Sequence, residues 1–408
     1  MYRPRLDLLA RRSLLRQLHT IHAAPGPEVE LDGRRVLMFA SNNYLNLATH
    51  PKVAEAAINA IRRYGVSATA SRLMSGSLPP HRDLEARLAA FKGAEAALVF
   101  STGYQANLGL VQTLAEDASM IYADRLCHAS LIDACRLSKR TLRIFRHREV
   151  SQLRRLLERT RQGAGLILTD GVFSMDGDLA PLPSLLNVAV SSGAYLVVDD
   201  AHGTGVMGRE GRGTVEHFGL TGSALIQMGT LSKALGAFGG FVTGPRDLIE
   251  YLVNRARPFV YTTALPPAMA AAASAALDIV EAEPERRAEL WRLRERLYQG
   301  LKTMGCETLD SKSPILPILV GDASDALALS DHLLAHQIYA PAIRPPTVPA
   351  SSSRIRLSIT AGHTSAQIDH LLEALAAVRT TDGALWERLT DRTEVERASA
   401  SKSPSPSL

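Results

Sequence analysis

Seven short apolar runs limit the folds open to this chain. They are AALVF (96–100), MIYAD (120–124), TLRIF (141–145), LILTD (166–170), YLVVDD (195–200), ALIQMG (224–229) and GGFVTG (239–244). Helical patterns lie between most of them, such as Val150 to Arg161 and Pro183 to Ser191. Strand and helix in alternation predict a mostly parallel sheet covered by helices on both faces. Strands in such sheets are buried on both sides, so they read as unbroken apolar runs rather than as alternation. The class predicted is α/β.

The texture changes after Pro266-Pro267. An Ala-rich helix and a charged helix (284–304) lead to strands at 315–321 and 354–360, with a helix at 325–336 between them. This reads as a smaller α+β domain. The division expected is an N-terminal helix and hairpin segment at 1–50, a large domain at 51–265, a small domain at 266–385 and an unstructured tail at 386–408. The N-terminal helix is expected over residues 3–20, and the hairpin turns at Asp32-Gly33.

Composition excludes little but points one way. The net charge of +5 is small for 408 residues, and the basic residues are scattered, so nucleic acid and membrane partners are not expected. No apolar run has the length of a membrane span. The three cysteines form no C-x-x-C pair, so no metal site is expected and a cytoplasmic compartment is.

Chemistry concentrates between Ala194 and Gly240. The run Tyr195–Val198 stops on Asp199 and Asp200, with His202 just beyond, and ALIQMG is followed by Thr230, Ser232, Lys233 and a glycine-rich loop. In open α/β sheets ligands gather beyond the carboxyl ends of strands. A lysine among small residues there can become a nucleophilic amine. An acid, a histidine and a lysine on neighbouring strand ends suit pyridoxal 5'-phosphate, whose ring nitrogen the acid keeps protonated. The spacing of Gly203, Gly205 and Gly208 also matches a dinucleotide fingerprint. That fingerprint must open a packed helix with an acid about 20 residues further on. Arg209-Glu210-Gly211-Arg212-Gly213 follows instead, with no acid near Ser223.

Eight motifs (SNNYLNL, ASRLMSGS, LEARLAAFKG, VFSTGYQAN, ADRLCHASL, GVFSMDGD, VDDAHGTG and GTLSKALG) extend this reading over nearly the whole chain. With them the sequence resembles the α-oxoamine synthases, pyridoxal phosphate enzymes of fold type I. The resemblance implies that Lys233 is the Schiff-base lysine and general base, that Asp199 pairs with the pyridine nitrogen, and that His202 contacts the phenolic oxygen. It assigns His128 to the ring face, Gly103 and Tyr104 to the phosphate, and Ser174 and Thr230 to nearby hydroxyl contacts. Thr262 or Thr263 reaches the partner subunit's phosphate in the family, which implies a homodimer.

For substrate, the resemblance points to Arg344 as receptor of the amino acid carboxylate and to Asn42 in the same pocket. Thr347 and Arg16 are assigned to the acyl substrate. The loop AIRPPTVP resembles that of the branch that condenses L-alanine with a pimeloyl thioester, on coenzyme A or acyl carrier protein, in biotin synthesis. The alternatives are a branch joining glycine to acetyl-CoA, a serine-using branch, and a non-catalytic subunit of the same fold. The family often has Asp or Gly where this chain has Asn43 and Asn46, and the segment beyond Arg379 has no counterpart.

Overall fold

The computed structural model of this protein describes residues 2–22, 25–159, 165–222 and 224–390. They fall into two compact units. The larger holds Leu45–Ser174 and Leu179–Arg287, and the smaller holds the described residues of Met1–Tyr44, Met175–Asp178 and Ala288–Leu408.

The apolar runs of the larger unit form one sheet. Across it the strands run Ala96–Phe100, Gly240–Gly244, Leu225–Thr230, Tyr195–Asp199, Gly165–Asp170, Met120–Asp124 and Leu142–Phe145. Neighbours are parallel except at Gly240–Gly244, which is antiparallel to both strands beside it. Successive side chains point to opposite faces. Val197 therefore packs with Leu110, Ile121 and Leu168 on one face, while Leu196 and Val198 pack with Tyr122, Ile167 and Leu185 on the other. Each fully buried aliphatic side chain contributes roughly 1.5–3 kcal/mol. Register aligns Asp170 with Asp199 and Asp199 with Met228, so the strands end together at one edge of the sheet.

The larger unit ends at Arg287 rather than after residue 265. The helix Pro267–Ala282 packs on Pro51–Tyr64 and Pro79–Lys92. Its buried Ala268, Ala270, Ala272, Ala273 and Ala276 are small enough for backbones to approach closely.

The smaller unit carries two three-stranded sheets. One orders Ile315–Gly321, Ser353–Ser358 and Ala342–Ile343, all antiparallel. The other joins the hairpin Glu28–Leu31 and Arg34–Met38 to Ile338–Tyr339. The hairpin turn has positive φ at both Asp32 (47°) and Gly33 (83°), as a two-residue turn of matching twist requires. The first helix spans Arg3–Arg11, shorter than expected, because Ser13 takes a left-handed φ of 54° that a helix cannot continue through. Gly383–Thr390 is a helix with Leu385 and Leu389 buried, where an unstructured tail was expected from 386, and residues 391–408 lie outside those described. Among the described residues no helix is long and apolar enough to cross a membrane.

Candidate active site

Of the loops that leave the common strand edge of the larger unit, two bring Lys233 and His202 together. Lys233 Nζ lies 2.8 Å from His202 Nε2. His202 is buried and Lys233 half-buried. Thr230 anchors the lysine loop, its hydroxyl donating to Gly239 O at 2.9 Å and accepting from Ser232 N at 3.2 Å.

The two acids of the Asp199-Asp200 pair diverge as strand geometry demands. Asp199 Oδ2 accepts from Asn107 Nδ2 at 2.7 Å and its Oδ1 accepts from Ala201 N at 3.0 Å. Asp200 turns away to Lys92 Nζ at 2.7 Å and to the hydroxyl of Thr214 at 2.7 Å. Only Asp199 therefore shares its surroundings with His128, through Asn107 and Ser130. Asn107 Nδ2 donates to Ser130 Oγ at 2.8 Å, and Ser130 Oγ lies 2.7 Å from His128 Nδ1.

His128 caps the helix Ala129–Ser138, its Nδ1 accepting from Ser130 N, and its own N–H donates to Asp170 Oδ1 at 3.0 Å. Desolvation by the pocket walls, with the Lys233 charge, holds its pKa below the ordinary value against the pull of Asp199 and Asp133. Asp170 is shifted the other way. Burial, reinforced by the Asp199 carboxylate beside it, pushes its pKa well up.

Gly103 opens the helix Gly103–Leu114, and Thr102 caps it by accepting from Gln105 N at 3.1 Å. Gly240 makes this approach possible, since a Cβ there would stand 2.5 Å from Gly103 N. The N-terminal N–H groups of such a helix form an anion site. Tyr104 is exposed beside it with its hydroxyl bonded to Asp133. Ser174 follows the Gly165–Asp170 strand, and Thr262 and Thr263 lie just before the helix Pro267–Ala282, where Thr263 O accepts from Ser101 Oγ.

These residues fit pyridoxal phosphate by the chemistry of their donors. They offer an amine, a buried carboxylate with both oxygens fixed, two imidazoles and a helix N-terminus. Asn107 Oδ1 is buried without a partner, which marks the interior of this network as polar.

The remaining candidates lie in the smaller unit. Arg16 donates to Thr347 Oγ1 at 3.2 Å, so those two are brought together. Arg344 instead donates to the backbone carbonyls of Ser13 and Leu15. Asn42 is met by a different arginine, Arg356, whose guanidinium donates to Asn42 Oδ1 at 3.1 Å and to Ser358 Oγ at 2.7 Å. Arg356 is only 7% exposed. Sequence reasoning missed it, along with Asn107, Ser130 and Asp170.

The aminotransferase class I and II family profile matches residues 34–375 of this chain. The 8-amino-7-oxononanoate synthase of Nitrosococcus oceani is 48% identical over 368 residues, covering 90% of this chain and 98% of its own. That of Geobacter sulfurreducens is 46% identical over 382 residues, covering 91% and 96%. Among solved structures, a serine palmitoyltransferase of Sphingomonas wittichii superposes with a TM-score of 0.88 at 34% identity, covering 94% of this chain and 97% of that one. The 8-amino-7-oxononanoate synthase of Francisella tularensis gives 0.73 at 31%, covering 85% and 99%. With Lys233, His202 and Asp199 at one strand edge, this chain belongs to the aminotransferase class I and II family and, within it, to the pyridoxal phosphate-dependent α-oxoamine synthases.

Proposed function

We propose that the protein condenses L-alanine with a pimeloyl thioester, giving 8-amino-7-oxononanoate, CO2 and the free carrier thiol. The observation that carries this reading is the Lys233–His202 contact beside an anchored Asp199, in a chain 48% identical to enzymes of that name. Pyridoxal phosphate, when bound, supplies a conjugated ring that takes up the electron pair left at the amino acid α-carbon. Asp199, fixed by Asn107 and Ala201, holds the proton on the ring nitrogen. Lys233 is the covalent anchor and the base that removes the α-proton, with His202 setting the position of its amine. The N–H groups at Gly103 and Tyr104 hold the phosphate. His128 covers the ring face, while Ser174 and Thr230 supply hydroxyl contacts.

Carbon–carbon bond formation at the α-carbon expels the carrier thiol, the resulting β-keto acid loses CO2, and a proton returns to the same carbon. The carrier is coenzyme A or acyl carrier protein. Arg16 and Thr347 take the acyl substrate, which their mutual hydrogen bond supports. For the alanine carboxylate we favour Arg356 with Asn42 over Arg344, because Arg356 is hydrogen-bonded to Asn42 while Arg344 binds backbone carbonyls. Thr262 and Thr263 serve the phosphate of a second subunit, making the enzyme a homodimer, and the compartment is the cytoplasm. The test is thiol release from pimeloyl and acetyl thioesters with L-alanine, glycine or L-serine. Release with alanine and the pimeloyl thioester alone supports the reading. Preference for glycine, or no turnover by cofactor-loaded protein, rejects it.

A further inference from the structure

Four polar side chains of the larger unit form an unbroken line from Asp199 to His128, and their donors and acceptors can be assigned in one way. Asn107 Nδ2 carries two hydrogens, one donated to Asp199 Oδ2 at 2.7 Å and the other to Ser130 Oγ at 2.8 Å. A carboxylate only accepts, so the amide cannot be flipped. Ser130 Oγ, already accepting from Asn107, has its own hydrogen left for His128 Nδ1 at 2.7 Å. The backbone N–H of Ser130 points at the same nitrogen, at 3.3 Å. A ring nitrogen that receives two donors carries no proton of its own. Asn107, Ser130 and Asp199 are all at most 5% exposed, so water does not compete for these bonds.

We propose that Ser130 and Asn107 are positioning residues that lock His128 in its neutral form with the proton on Nε2, leaving Nε2–H as the only donor on the open edge of the ring. Tautomers are set by the bond the other nitrogen makes. Here that bond is set from Asp199, so the group that fixes the ring-nitrogen proton also fixes the hydrogen His128 offers. The groups facing His128 are Asp199, Lys233 and Asp133, with Asp170 on its backbone N–H. None of these replaces the two donors on Nδ1.

The proposal rests on the site reading above, and the experiment separates the two. Long-range proton–nitrogen correlation spectra of holoenzyme labelled with [15N]histidine report each tautomer directly. The His128 signals are identified by their loss in His128→Asn. At pH 8 the wild-type ring should show an unprotonated Nδ1 and a protonated Nε2. Ser130→Ala and Asn107→Leu should show both tautomers in exchange and lose about tenfold in kcat/KM for the amino acid, the scale of one buried hydrogen bond. Ser130→Thr, which keeps the hydroxyl, should restore the wild-type pattern and rate. A protonated Nδ1 in wild type, or either variant keeping the wild-type pattern, overturns the proposal. The wild-type spectrum and the Ser130 pair decide it even where Asn107→Leu fails to fold. Full turnover by His128→Asn would instead overturn the site reading and leave the tautomer result standing.

Discussion

Lys92 Nζ and Asp200 Oδ2 lie 2.7 Å apart with neither side chain exposed to solvent. The pair is completed by Arg212 O and Thr204 Oγ1 on the lysine, and by Thr214 N and Oγ1 on the acid. Asp200 therefore holds the loop that carries His202, while its neighbour Asp199 faces the chemistry. Breaking a buried pair leaves one charge uncompensated and costs roughly 3–5 kcal/mol. Asp200→Asn and Lys92→Met should each lower the unfolding free energy by about that much without selective loss of α-proton exchange. Asp199→Asn should leave the unfolding free energy within about 1 kcal/mol and slow exchange of the alanine α-proton at least about 10²-fold. Exchange rates and unfolding curves on the three variants check this, and the reverse pattern would mean the acids have been assigned the wrong way round.

Lys233 has two roles that one substitution removes together. Borohydride treatment of the holoenzyme followed by peptide mapping should place the cofactor on Lys233. Lys233→Ala should still retain the cofactor through the helix N-terminus at Gly103 and the Asp199 contact, but release it on gel filtration under denaturing conditions. Its turnover should fall at least 10²–10⁴-fold, the range for loss of a positioned base. Near-normal turnover by this variant would remove Lys233 from the mechanism.

The strands were legible because burial on both faces leaves a continuous apolar run, and strand edges announce ligand sites. Lys233, His202 and Asp199 could be named for that reason. Arg356 could not. In Arg354-Ile355-Arg356-Leu357 the arginines read as the wet side of an alternating strand, yet each residue of Ser353–Ser358 is buried. Arg354 is buried against Asp176, and Arg356 against Asn42 and Ser358. Asn107 and Ser130 left no signal at all, because a small polar residue inside a helix looks alike whether it faces water or an acid 92 residues away. The first helix was drawn too long for want of any residue forbidding it; Ser13 stops it by conformation, not by type.

His363 gives the smaller unit a pH-dependent stability. It is 3% exposed, stacks on Phe39 at 4.5 Å between ring centres, and accepts from Thr360 N on Nδ1 at 3.1 Å. Burial lowers its pKa from 6.5 to about 4. Above pH 6.5 the ring is neutral in both folded and unfolded chains, and the stabilisation is fully present. As pH falls from 6.5 towards 4 the unfolded chain takes up a proton that the folded chain refuses, so stability falls by about 1.4 kcal/mol per unit, roughly 3 kcal/mol in all. His363→Asn keeps an acceptor near Thr360 N and removes the titration. Its unfolding free energy should be the flatter of the two between pH 6.5 and 4, and parallel curves would rule out His363 as the source.

Arg344 and Arg356 offer rival receptors for the alanine carboxylate, and the structure gives them different surroundings. Arg344 bonds the carbonyls of Ser13 and Leu15, and burial together with the Arg16 charge lowers its pKa. It ties the N-terminal segment to the loop 342–349. Arg356 is held by hydrogen bonds to the side chains of Ser358 and Asn42. A guanidinium fixed in that way presents a fork to a carboxylate, and a charge-assisted bond of this kind contributes roughly 1.5–3 kcal/mol, or one to two powers of ten in binding. Arg356→Lys keeps the charge and loses the fork. It should raise the Michaelis constant for L-alanine about ten- to hundredfold and change that for the pimeloyl thioester less than about threefold. Arg344→Lys should leave the alanine constant within about threefold and lower thermal stability instead, since its bonds are to backbone. A selective alanine defect in Arg344→Lys, with Arg356→Lys unaffected, would return the carboxylate to Arg344 and make Arg356 a structural arginine.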